Sequence, residues 1–147
     1  MTEDIIVLKG LSKIYGNGVE VKALDGVSVD IKAGEFVAIV GPSGSGKSTL
    51  LNMIGLLDTP SFGQIYLKGI DVSRASPEER ARLRNQELGF VFQYHHLIPE
   101  FSALENLHMS MTLRGYRSDE SASRALLERV ALDPKRQDPV RGFSSGM

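Results

Sequence analysis

The 147-residue chain is 41% hydrophobic and carries a formal net charge of −1, with 17 Lys and Arg set against 18 Asp and Glu. That is enough apolar material for one buried core, and the balanced charge excludes a global basic field of the kind that gathers nucleic acid or an anionic membrane surface. Cysteine is absent, which removes disulfides, thiolate metal sites and cysteine nucleophiles and fits a cytoplasmic protein.

The chain opens MTEDIIVLKG, with Glu3 and Asp4 where a secretory signal would want basic residues, and no apolar run approaches the length of a membrane span. Residues 5–9 and 27–31 are short β-branched segments. The turn-rich YGNG at 15–18 and a loop around Asp25-Gly26 separate them, which predicts an antiparallel β start. Lys32-Ala33-Gly34 turns the chain into EFVAIV (35–40), a nearly continuous apolar run expected of a strand buried on both faces in a parallel sheet. Behind a glycine-rich loop, Leu50, Ile54 and Leu57 recur at helical spacing until Asp58-Thr59-Pro60 ends the helix.

QIYLKG (64–69) reads as another strand. Ser76-Pro77-Glu78-Glu79 opens a helix with a serine cap and proline in its first turn, and the arginines at 80, 82 and 84 form a solvated face of it. LGFVFQ (88–93) is again apolar and strand-like. Ser102-Ala103-Leu104-Glu105 is a second capping box, opening a helix to about Leu113, and Ser118 opens a third carrying Leu126, Leu127 and Val130. Residues 133–142, polar with two prolines, read as a surface loop. Adjacent His95 and His96 lack helical spacing to a third ligand and are not expected to hold a metal.

The chemistry sits in GPSGSGKSTL (41–50), where Gly41, Gly46, Lys47 and Ser48 satisfy G-x-x-x-x-G-K-[ST]. In the loop Gly41, Pro42, Ser43, Gly44, Ser45, Gly46, the glycines let successive backbone N–H groups close around phosphate oxygens. The helix starting near Lys47 points its positive end at the same charge. Lys47 is placed for the β- and γ-phosphates, the Ser48 hydroxyl for Mg²⁺, and Thr49 for the α-phosphate. The predicted ligand is therefore ATP with Mg²⁺.

With this loop some way into the chain behind a strand-rich segment, and with Tyr15 in LSKIYGNG ahead of it, the sequence resembles the ATP-binding domain of ABC transporters over essentially its whole length. The resemblance implies that Tyr15 stacks on adenine. It also implies that Gln93, ending LGFVFQ, contacts Mg²⁺, the attacking water and the γ-phosphate side. GLLDTPSFGQIYLKG (55–69) and QYHHLIPEFSALENL (93–107) look like the branch that holds lipoprotein-releasing and macrolide-export ATPase subunits. There, Tyr94, His95, Leu97, Ile98, Pro99 and Phe101 would face a transmembrane permease subunit, placing the protein at the inner face of the cell membrane.

Under this resemblance the fold class is α/β, a P-loop NTPase of ABC type. An antiparallel β subdomain joins a partial parallel sheet flanked by helices and the start of an α-helical subdomain. Residues 1–147 would form one C-terminally incomplete nucleotide-binding domain: a β-rich start at 1–34, a P-loop core at 35–93 and a helical part at 94–147. RGFSSGM (141–147) falls where the family has its signature loop, which grips the γ-phosphate held by a second ATP-binding subunit. Ser144 and Gly146 match that loop, while Phe143, Ser145 and Met147 depart.

No run of four apolar residues followed by Asp-Glu occurs in the chain, so the family's Walker B carboxylates are missing from these residues. Without such a base, catalysis loses a contribution of about 10²–10⁴-fold. The sequence therefore predicts a chain that binds ATP–Mg weakly and turns it over little, with apolar strand edges exposed where later strands would pair. A second possibility is a nucleotide-binding fragment without turnover, acting as a regulatory or decoy partner of a membrane subunit. A small-molecule kinase would want its P-loop near the N-terminus and an arginine-bearing lid, and neither is evident.

Overall fold

The computed structural model describes residues 3–16, 18–93, 96–117, 119–133 and 138–142. The chain forms two compact units, Met1–Leu88 and Gly89–Met147, with the divide five residues ahead of the 93/94 boundary read from the sequence.

The first unit is built on a four-stranded sheet of order β2-β1-β3-β4. Strands β1 (Asp4–Tyr15) and β2 (Val21–Lys32) pair antiparallel from Asp4↔Lys32 to Tyr15↔Val21. β3 (Phe62–Leu67) lies antiparallel on the other side of β1, and the short β4 (Ile70–Asp71) closes the sheet. Both long strands run straight through a glycine, Gly10 in β1 and Gly26 in β2, the latter read in the sequence as part of a loop. Gly10 has φ 57 and lies in the register shift between Leu8 and Leu11. An extra residue in the left-handed region is a bulge, which glycine adopts without steric cost and which restarts the alternation. Leu8 and Leu11, three apart, consequently both reach the core. Serine hydroxyls satisfy the disturbed backbone: Gly10 N–H donates to Ser28 Oγ and Gly26 N–H to Ser12 Oγ, each at 2.9 Å.

Helix α1 (Lys47–Ile54) and helix α2 (Pro77–Glu87) complete this unit. Met53 and Leu56 meet Leu8, Leu11, Leu24, Ile65, Leu67, Val72 and Leu83 in one buried cluster, each large side chain contributing about 1.5–3 kcal/mol by removal from water. α1 ends at Ile54, one turn before the expected stop, because Leu56 turns left-handed (φ 55) to enter the core. Its carbonyl accepts from Arg84 Nη1 at 2.7 Å. Arg84 is therefore half-buried rather than part of a solvated face. Arg82 alone of the three arginines follows that expectation, donating to Gln86 one turn on.

The structure differs from expectation at residues 35–40. They form no ladder with any described residue, and Phe36 (95% exposed) and Val40 (86%) face solvent. Parallel pairing needs a neighbour reached by a crossover of a dozen or more residues, and the strand that follows α1 joins β1 antiparallel instead. Residues 88–93 likewise form no ladder with any described residue.

In the second unit, α3 (Ala103–Leu113) starts at the predicted capping box. Ser102 Oγ accepts from the Glu105 N–H while the Glu105 carboxylate accepts from the Ser102 N–H at 2.8 Å. Helix α4 (Glu120–Arg129) is capped by Asp119, which accepts from the Ala122 N–H; Ser118, the expected cap, lies outside the described residues. The buried Asn106 pins the turn before α3, accepting from the Ile98 N–H at 2.8 Å and donating to the carbonyls of Ile98, Phe101 and Ser102. A 3-10 turn at Val140–Gly142 backs the same segment, with Val140 N–H donating to Phe101 at 2.9 Å. Residues 133–142 are thus not wholly a surface loop, since Val140 is buried.

Candidate functional site: a phosphate cradle beside an anchored tyrosine

Residues 41–46 lead into α1 with Gly41, Gly44 and Gly46 at φ 154, 79 and 88. Gly46 is the one whose freedom is indispensable: a Cβ there would stand 2.4 Å from the Ala23 carbonyl oxygen of β2. Close approach of the loop to the sheet edge thus sets where the helix begins. A helix N-terminus leaves its first N–H groups without intrahelical partners. α2, α3 and α4 meet this with a side-chain cap and acidic residues in the first turn, whereas α1 has neither. Its N–H groups and positive dipole end are left for an anion from outside the helix.

A cleft of about 300 Å³ opens there, lined by residues 43–49 of the loop and helix and by Val21, Lys22 and Ala23 of β2. Lys47 is folded onto the loop, donating to the carbonyls of Gly41 (2.9 Å) and Pro42 (2.6 Å). These bonds hold its ammonium at the cradle, from which an incoming phosphate can recruit it. Ser48 is exposed and offers a hard hydroxyl oxygen. Mg²⁺ needs only one or two protein oxygens when phosphates and water supply the rest, so this donor set fits the ion. Among the described residues no group of three His, Asp or Glu side chains forms a metal cluster.

Tyr15 is adjacent to residues that line this cleft. As the last residue of β1 it pairs with Val21, which lines the cleft. Its hydroxyl donates to Asp58 Oδ2 at 2.8 Å. Asp58 Oδ1 accepts from Lys13 Nζ (2.8 Å) and from the Thr59 N–H (2.7 Å). Partial burial pushes the Tyr15 phenol up, reinforced by the Asp58 carboxylate and opposed by Thr49. Burial also works against ionised Asp58, but hydrogen bonds from Lys13, Thr59 and Tyr15 together outweigh it and hold this carboxyl below its usual range. Lys13 and Asp58 carry no motif signal; the sequence reads Asp58 only as a helix stop.

Gln93 belongs to the second unit, exposed at a bend. Before it, Phe90 and Phe92 stack at 5.4 Å and His96 packs edge-on against Phe92 at 4.8 Å. Tyr94 and His95 lie outside the described residues, as do Ser144 and Gly146. Leu97 and Pro99 are exposed, while Ile98 and Phe101 are half-buried. Among the described residues no helix is long and apolar enough to cross a membrane.

Loop, helix and flanking sheet have the geometry of a P-loop nucleotide-binding cassette. Comparison with known proteins narrows this: the ABC transporter family profile matches residues 24–147, and the chain belongs to that family. It is 46% identical over 142 residues to the lipoprotein-releasing system ATP-binding protein LolD of Nitratidesulfovibrio vulgaris, covering 95% of this chain and 61% of that protein. It is 48% identical over 146 residues to the pyoverdine export ATP-binding/permease protein PvdT of Pseudomonas aeruginosa, covering 97% of this chain and 22% of that protein. Among solved structures, it superposes on the ATP-binding cassette MJ0796, a dimer in a post-hydrolysis state bound to ADP and Pi. The TM-score is 0.84 at 36% identity, covering 96% of this chain and 64% of that one. The chain thus spans less than two thirds of the length of these relatives.

Proposed function

We propose that this chain is the nucleotide-binding part of an ABC transporter ATPase, which couples ATP binding and hydrolysis to membrane export or lipoprotein release. The observation that carries the proposal is the uncapped N-terminus of α1 behind the Gly41–Gly46 loop, with Lys47 held at the cradle by the Gly41 and Pro42 carbonyls. Backbone N–H groups and Lys47 take the phosphates, Thr49 adds a contact to the α-phosphate, and Tyr15 supplies an aromatic wall for the base. Ser48 holds Mg²⁺, with Gln93 as the second protein ligand on the γ-phosphate side. When bound, the ion neutralises charge on the phosphate oxygens. Ser144 and Gly146 serve the opposite subunit of an ATPase dimer, and residues 94–101 meet the permease, which holds the protein at the inner face of the membrane. Cassette relatives such as the MJ0796 dimer bound to ADP and Pi favour turnover in the full-length protein. Nothing in the relatives supports the regulatory or decoy alternative.

Titration calorimetry of the full-length protein with ATP tests this. Binding should require Mg²⁺ for full affinity and weaken about 10- to 100-fold in Lys47→Ala, the loss of a charge-assisted phosphate contact. Equal affinity in wild type and variant would reject the cradle. Steady-state phosphate release then separates a hydrolase from a binding fragment.

A further inference from the structure

We propose that Lys13 and Asp58 are positioning residues that lock the Tyr15 ring as a fixed wall for the nucleotide base. The inference rests on the assignment of Tyr15 to the base made above.

Tyr15 is 40% exposed at the end of β1. An exposed tyrosine samples several χ1 and χ2 settings, and a base stacking on it would have to arrest them, at a cost of the order of one immobilised side chain per binding event. Here that ordering is done beforehand. The phenol is held by Asp58 Oδ2 at 2.8 Å, and Asp58 is itself held through its other oxygen by Lys13 and Thr59. Lys13 Nζ makes a second bond to the Thr59 carbonyl at 2.7 Å and lies 4.9 Å from the centroid of the Tyr15 ring. The ammonium thus occupies one face of the ring by cation–π attraction, leaving the other for a base.

The anchor also ties the base wall to the phosphate cradle. Asp58 and Thr59 follow α1, the helix that starts at Lys47, and the Asp58 N–H donates to the Asn52 carbonyl within that helix. The ring is therefore tied through Asp58 to the helix that carries the cradle, which presets the distance between base and phosphates. A hydroxyl serving solubility alone would not be met by a carboxylate that two further donors already orient.

The test is titration of the full-length protein with Mg–ATP and, separately, with Mg–tripolyphosphate, which has no base, using wild type, Tyr15→Ala, Tyr15→Phe and Asp58→Ala. Tyr15→Phe keeps the aromatic face and removes only the anchor. It and Asp58→Ala should each weaken ATP about 3- to 10-fold and leave tripolyphosphate unchanged, and combining them should add nothing, since they break one contact. Wild-type ATP affinity in Tyr15→Phe alongside a weakened Tyr15→Ala overturns the anchor while the base wall stands. Wild-type affinity in Tyr15→Ala overturns both. An equal loss for tripolyphosphate overturns the anchor in favour of a general structural role. Should Asp58→Ala fail to fold, Tyr15→Phe decides alone, because its change lies on an exposed side chain.

Discussion

Asp58 shows how one side chain joins stability to the site. Its carboxylate receives Lys13, Thr59 and Tyr15, and these donors hold its pKa below the ordinary value of about 3.9. A depressed pKa means that the unfolded chain binds the proton more readily. The stabilisation is therefore fully present above about pH 5 and is lost as pH falls below 3.9 through the folded-state value. With the side chain 31% exposed, solvent screening keeps the effect modest. Thermal melts from pH 7 to pH 3 should show Asp58→Asn melting below wild type at neutral pH, with the gap closing as the acid limb is crossed. A gap independent of pH would mean that the charge on Asp58 contributes nothing. None of this was legible in the sequence, because Lys13 and Asp58 are 45 residues apart and meet only where β1 passes the end of α1. Tyr15, by contrast, was singled out by a resemblance, through its neighbours in LSKIYGNG and its place ahead of the P-loop.

Elements with local causes were read well. The capping box at Ser102 and Glu105 and the span to Leu113 appear as expected, because a cap and its helix are decided within a few residues. The glycine-rich loop was equally plain, but its reason for glycine at position 46 was only half visible. Phosphate approach is one demand; the Ala23 carbonyl 2.4 Å from any added Cβ is another. Gly46→Ala should therefore lower stability by about 1–3 kcal/mol for the left-handed backbone alone, with the clash added, even with no nucleotide present. Chemical denaturation of the ligand-free protein measures this, and an unchanged midpoint would leave phosphate approach as the sole constraint. Gly26 misled in the opposite sense. Read as part of a loop between short strands, it is a residue within a 12-residue strand, since a left-handed glycine is tolerated within a strand whose pairing continues on both sides.

At the scale of the whole molecule, the apolar segments at 35–40 and 88–93 present Phe36, Val40 and Val91 to solvent, without ladder bonds. Exposed apolar side chains on segments without a described strand partner invite association with another chain. Residues 1–147 produced alone should scatter light at micromolar concentration, and replacing Phe36 and Val40 by lysine should reduce the scattering; a monodisperse monomer would show these segments to be harmless. The sequence by itself determined the family, the glycine-rich loop with its lysine and serine, and the starts of α1, α2 and α3, because each is written in adjacent residues whose chemistry needs no distant partner. Only the tertiary structure decided that Tyr15 is braced by Lys13 and Asp58, that Arg84 serves the Leu56 carbonyl, and that residues 35–40 stand without a ladder. Hydrogen bonds between remote segments and strand pairing depend on which surfaces the chain brings together, and no local pattern records that choice.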